Sequence, residues 1–265
     1  MLFQTELSLL SALATIDEKH VSLQKIADHL DWSESHTARV VGRLESRDYL
    51  TTRRDGRRKR VALVYVRPVE GFVDLAREFD HVDFPDLIAG SALRLLYYLD
   101  SDRTATELAE LTGLARATIY RRLDRLQTVG IVRKNHSRFA LTDGFAPLAD
   151  FARAVATHEH RMEVRTRGVE PQLVWETADE YLFSCQSELT DALFHETGPG
   201  IFEQYGIPLL TRNRNHYIRS ERLTRVTPAE LVCHTLLIDD GARYRSYCLL
   251  LIAEHDLERS TLVAV

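Results

Sequence analysis

The chain has 265 residues, of which 45% are hydrophobic, enough to bury two or three small cores. Its formal charge is −5, and no apolar run reaches the roughly 18 residues that a membrane span requires. Three widely spaced cysteines (Cys185, Cys233, Cys248), the lack of a CxxC pair and the lack of a basic leader argue against a disulfide frame, a structural zinc site and a signal peptide. A cytoplasmic protein is expected.

Leu2 to Ile16 reads as an apolar helix with Leu7, Leu10, Leu13 and Ala14 facing inward. Ser22 is placed to cap a helix over 23–30, Asp31-Trp32 to turn the chain, and Ser33 to cap a second helix. On that second helix Val40, Val41 and Leu44 share one face, while His36, Arg39, Arg43 and Arg47 line the other. Two β-type runs, 49–53 and 61–66, then flank a turn that contains Gly56. Helix, helix, turn, helix and hairpin is the order of a winged helix-turn-helix. From Ser33 to Arg67 ten Lys/Arg stand against four Asp/Glu, a local charge of +6. Such a surface suits phosphate.

A connecting helix over 68–83, with Val69, Phe72, Val73, Ala76 and Phe79 as its stripe, is expected to end at Phe84-Pro85. The pattern then starts again. Leu87 to Leu99 reads as one apolar helix, Thr104 and Glu107 as a capping box for a helix over 105–111, and Gly113 as a turn. Ala115 to Thr128 is a second basic amphipathic helix, and 131–142 a hairpin around Asn135-His136-Ser137. An 82-residue shift without a gap pairs Ile26 with Leu108, Arg39 with Arg121, Arg43 with Arg125 and Leu44 with Leu126. Apolar and basic positions coincide together, which marks an internal repeat.

The fold class expected is mainly α with small β wings: two tandem winged helix-turn-helix domains followed by a small α/β (α+β) C-terminal domain. The boundaries expected are 1–67, a connecting helix 68–84, a second winged helix 85–143, a linker or dimerisation helix 144–163, and a sensor or partner-binding domain 164–265. In the last domain, strands are expected at 173–175 and 181–185, a helix at 187–195, a hairpin of 207–211 with 216–219, and a helix started by Thr227-Pro228-Ala229-Glu230. Arg212, Arg214, Arg219, Arg222 and Arg225 cluster there as a solvated face or an anion site. The apolar helical pattern at Val265 has no C-cap signal, as a truncated chain would show.

Double-stranded DNA is the partner these surfaces fit. The contacts expected from the first repeat are Ser35, His36, Arg39, Arg43, Arg53, Arg54, Arg57, Arg58, Lys59 and Arg60. Those from the second are Arg116, Thr118, Tyr120, Arg121, Arg125, Arg133, Lys134 and Arg138. Glu34 opens the first basic helix and repels phosphate, so the second helix is expected to read bases while the first wing clamps backbone. No GxxxxGK[ST], GxSxG or HExxH occurs, so no enzyme, cofactor or metal is expected. His158 and His160 read as an exposed helix end.

KIADHLDWSESHTARVVGRLESRDYL (25–50) and ELAELTGLARATIYRRLDRLQTVGIV (107–132) resemble the helix-turn-helix frame of MarR-like regulators, particularly those of archaea. The first departs from it with Asp48 where the second has Gly130. The resemblance implies a sequence-specific transcription regulator, a repressor, with a C-terminal domain that senses or oligomerises. Val226 to Leu262 resembles the C-terminal part of abortive-infection antitoxins, which implies as the alternative an autorepressor paired with a nucleotidyltransferase toxin. Beyond DNA, the partners expected are a second copy of the chain and, at the C-terminal domain, a toxin-type protein or a small anionic effector.

Overall fold

The computed structural model describes residues 1–56, 58–209 and 214–263, with three small antiparallel sheets among them. It divides into two compact units, Met1–Glu159 and His160–Val265.

The first unit opens with α1 (Gln4–Thr15), β1 (Val21–Ser22), α2 (Leu23–Leu30), α3 (Glu34–Glu45) and the hairpin β2 (Leu50–Asp55) with β3 (Arg58–Leu63). Both expected caps form: Ser22 Oγ accepts from the Lys25 amide at 3.2 Å, and Ser33 Oγ from the His36 amide at 3.3 Å. Next, α4 (Arg67–Glu78) buries Val69, Phe72 and Leu75 and packs on α1. It stops at Phe79, short of the expected Asp83, and Phe84-Pro85 opens a helix instead of ending one. Asp83 caps α5 (Phe84–Ile88) by accepting from the Asp86 amide at 3.3 Å, and Pro85 sits in the first turn, where no N–H is needed.

The single helix expected over 87–99 is broken at Gly90. That residue takes φ +60°, which a side chain would strain, and its amide donates to the Leu2 carbonyl at 3.0 Å. Beyond it lie α6 (Ser91–Leu96), β4 (Arg103–Thr104), α7 (Ala105–Thr112), α8 (Arg116–Thr128), β5 (Val132–Asn135) and β6 (Arg138–Leu141). The Thr104–Glu107 capping box is present. The sheet orders β1-β3-β2 and β4-β6-β5 repeat one another. The 82-residue shift holds even for single bonds: the Tyr49 amide donates to the Leu44 carbonyl at 3.0 Å, and Ile131 to Leu126 at 2.9 Å. Asp48, at φ 56°, adopts the left-handed turn that Gly130 makes at φ 76°. The hairpins differ in length, six residue pairs against four.

Then α9 (Pro147–Val164) buries Leu148, Phe151, Ala152 and Val155. Phe151 lies 5.5 Å from Phe72 of α4, so this apolar face is filled within the unit and is not an open dimer face. A single buried core runs from Leu2 to Val155 through both repeats. The exposed end expected at His158 and His160 is not found. His158 stands edge-on to Tyr49 at 4.6 Å, and in the second unit His160 is buried with Nδ1 2.9 Å from Glu176.

In the second unit β7 (Gln172–Glu176), β8 (Tyr181–Cys185), β9 (Phe194–Thr197) and β10 (Asn215–Arg219) form one antiparallel sheet in the order β7-β8-β10-β9. Three helices follow: α10 (Pro228–Ile238), α11 (Ala242–Glu254) and α12 (Arg259–Val263). The Thr227–Glu230 capping box forms as expected. Two expectations fail. No helix covers 187–195, because Phe194 joins β9 and stacks edge-on against Phe183 at 5.6 Å. Residues 207–209 are not a strand, and β10 pairs with β8 and β9 instead. Thr211, Arg212, Asn213 and Val265 lie outside the described residues.

Burial, with Arg214 adding to it, pushes the His216 imidazole of β10 down to about 4. Between about pH 6.5 and pH 4 the unfolded chain therefore binds a proton that the folded chain refuses. Stability is expected to fall with pH across that window by at most about 3 kcal/mol and to level off below it. Melts of the wild type and of His216→Gln at several pH values check this, since the variant should lose that part of the slope.

Candidate nucleic-acid interface

The two repeats set α3 and α8 as equivalent helices. The buried faces are Thr37, Val40, Val41 and Leu44 on α3, and Ile119, Leu123 and Leu126 on α8. On the opposite side α8 exposes Arg116, Ala117, Tyr120, Arg121 and Asp124, and α3 exposes the equivalents Glu34, Ser35, Ala38 and Arg39. Arg121 and Arg39 make no hydrogen bond or ion pair among the described residues, nor does Arg116. Exposed Arg116 and Tyr120 thus stand where the first repeat has Glu34 and Ala38. This gives α8 the surface better suited to base edges and phosphates. Thr118 is half-buried on the flank. His36 is held edge-on to Trp32 at 4.7 Å, and Ser35 Oγ lies 3.2 Å from Ser33 Oγ.

Arg43 and Arg125 do something different from what their charge suggested. Arg43 Nε lies 3.3 Å from Glu6 of α1, and Arg125 pairs with Asp86 of α5. At one repeat-equivalent position a cation, still partly exposed, thus ties the exposed helix to a preceding helix. Arg47 is drawn further inward. It sits 2.8 Å from Glu6, which is 1% exposed, and 3.2 Å from Glu159. Tyr49 Oη donates to Glu159 at 2.8 Å. Burial alone would depress the Arg47 guanidinium, but Glu159 and then Glu6 offset it and hold its pKa above the ordinary arginine value. Burial and Glu159 raise the Tyr49 phenol well above its usual range, so it remains a donor.

The hairpins divide in the same way. On the first, Arg53, Arg54 and Arg58 are exposed and unpaired among the described residues, around Gly56 at φ +60°. Lys59 is held by Glu45 at 3.1 Å, and Arg60 by Asp55 at 3.5 Å and Glu18 at 4.0 Å. Arg57 lies outside the described residues. On the second hairpin, Arg133 pairs with Asp102 at 3.1 Å and Arg138 with Glu107 at 3.5 Å. Only Lys134, over the Phe139 ring at 5.3 Å, lacks an acidic partner among the expected wing cations described there. Some of these acids, Glu45 and Asp55, belong to the same repeat and others, Asp102 and Glu107, lie some thirty residues earlier, and a net charge count assigns none of them to a particular base.

Residues 90–136 match the IclR helix-turn-helix domain. The match spans α6 to the tip of the second hairpin and so includes α8. It supports a DNA-binding transcription regulator of the helix-turn-helix type. Residues 191–265 match a C-terminal family model, HVO_2833_C. No curated protein and no solved structure matches the chain. Among the described residues no helix is long and apolar enough to cross a membrane, and no group of three or more His, Cys, Asp or Glu could hold a metal ion.

Three of the arginines expected to cluster in the second unit have partners of their own. Arg214 donates to the Glu170 carbonyl at 2.6 Å, Arg219 pairs with Glu221 at 2.8 Å, and Arg222 pairs with Glu180.

Proposed function

We propose that the first unit is a pair of tandem winged helix-turn-helix modules, MarR-like in frame, that binds duplex DNA and acts as a repressor. In this reading α8 reads base edges, α3 adds a weaker contact through Arg39, and the β2–β3 tip holds the backbone with Arg53, Arg54 and Arg58. One observation carries it. In two structurally equivalent helices, Arg39 and Arg121 stay exposed and unpaired while the neighbouring Arg43 and Arg125 are used to fix the helices. The second unit senses or oligomerises. An open cleft of about 780 Å³ lined by Arg161, Arg165, Gln172, Trp175 and Glu176, the last held by His160, supports the sensing of a small anion there.

The test is Arg53→Ala with Arg54→Ala and Arg58→Ala. Backbone contacts position a protein without reading sequence, so affinity should drop by a common factor on every duplex, and the log–log salt slope should shrink by about 3. A changed sequence preference at constant general affinity would make the wing a base reader and overturn this assignment.

A further inference from the structure

We propose that α11 is a self-association surface through which two copies of the chain pair, helix against helix and antiparallel. The helix carries apolar residues on its buried face and exposed leucines on the opposite side. Cys248 and Leu251 are buried inward, with Tyr244 and Tyr247 partly covered beside them. Outward, Ala242, Ser246, Leu249 and Ala253 recur at four-, three- and four-residue steps, and Leu249 is 66% exposed, with Leu250 beside it at 53%. Exposed leucines bordered by Arg243, Arg245 and Glu254 make an apolar patch with a charged rim, the anatomy of an interface. The small residues around Leu249 would let a second helix approach closely.

Charge selects the occupant. Arg243 lies in the first turn and Glu254 in the last, each at the end of the helix dipole that disfavours it. They are three turns apart and so lie on one flank. Arg243 is held along the helix by its Nε bond to Tyr247 Oη at 2.6 Å. In an antiparallel pair about a two-fold axis between Cys248 and Leu249, like flanks meet in opposite directions. Arg243 of each copy then faces Glu254 of the other, twice, and each charge stands beside the partner end that favours it. In a parallel two-fold pair unlike flanks would meet, bringing Arg243 to the partner flank that carries Arg245 and leaving Arg243 and Glu254 at opposite ends. Such self-complementarity is what a two-fold interface demands. A helix pair ~20 Å long makes a small interface, so the pairing is weak and concentration-dependent.

This extends the proposed role of the second unit and is tested without DNA, so its failure leaves the DNA-binding reading standing. Sedimentation velocity on the full chain from about 1 to about 100 µM should show the mass rising from 30.4 kDa toward twice that value. Leu249→Ser with Leu250→Ser should abolish the rise with an unchanged circular dichroism spectrum, because both side chains are exposed. Arg243→Glu or Glu254→Arg alone should weaken association at least about tenfold, and the two together in one chain should restore it. A 30.4 kDa species at every concentration overturns the proposal. So does a leucine variant that associates like the wild type, or a doubly reversed chain as weak as the single ones.

Discussion

Arg47→Ala is expected to destabilise the first unit by about 3–5 kcal/mol, the largest effect of any single change considered for this chain. Arg47 neutralises two carboxylates at once, Glu6 at 2.8 Å and Glu159 at 3.2 Å, and Glu6 has almost no contact with water. Removing the guanidinium takes the closest cation from both: Glu6 keeps Arg43 at 3.3 Å and the Phe3 amide at 2.9 Å, and Glu159 keeps the Tyr49 hydroxyl and the N-terminal ammonium at 3.6 Å. An uncompensated buried charge costs far more than the intact pair contributes. Glu6→Leu combined with Arg47→Met should therefore recover more than half of the loss. Urea melts of the single and double variants measure both values. A loss under about 1 kcal/mol for Arg47→Ala would mean that solvent screens the network.

Arg121→Ala is expected to leave stability within about 0.5 kcal/mol of the wild type, since the side chain is exposed and unpaired. It should narrow the gap between cognate and scrambled duplexes by about 1–3 kcal/mol, the value of one arginine gripping guanine O6 and N7. Arg39→Ala should do the same more weakly, because Glu34 precedes it on the same exposed face. Competition binding reads both. If Arg121→Ala lowers the two affinities by one common factor, Arg121 contacts phosphate, and the base reader is Arg116 or Tyr120.

What the sequence disclosed is what chemistry decides within a few residues. Ser22, Ser33 and the Thr104–Glu107 and Thr227–Glu230 boxes act over three positions, and all four caps form. Gly56 and Gly113 take positive φ where turns were expected, and the repeat keeps its register down to the bonds of Tyr49 and Ile131. The errors have a different physical origin. Gly90 breaks a helix because its amide reaches Leu2, far back in the chain. Residues 187–195 have helical spacing, but strand pairing with β10 and the aromatic cluster around Phe183 claim Phe194.

The candidate site shows the same limit more sharply. Periodicity placed Arg39, Arg43 and Arg47 on one polar face, with Arg39 and Arg43 among the expected DNA contacts. Packing separates them: Arg39 faces solvent, Arg43 reaches across to Glu6, and Arg47 is enclosed between Glu6 and Glu159. Nothing near Arg43 or Arg125 in sequence reveals that a helix some forty residues earlier supplies the acid. Local charge counts therefore overstated the number of cations free to meet DNA.

DNA binding falls to a smaller set. Seven expected contact cations have no acidic partner among the described residues: Arg39, Arg53, Arg54, Arg58, Arg116, Arg121 and Lys134. With Arg121 on a base edge and the other six on phosphate, at about 0.9 counterions released per phosphate, they predict a log–log salt slope of about −5, which is roughly a three-order fall in affinity between about 50 and about 200 mM salt. Fluorescence anisotropy of a labelled duplex with the full chain across that range measures it directly. A slope near −5 that shrinks toward −3 when Arg53, Arg54 and Arg58 are replaced by alanine is the result predicted. Affinity that stays flat across the titration would contradict DNA binding by these surfaces.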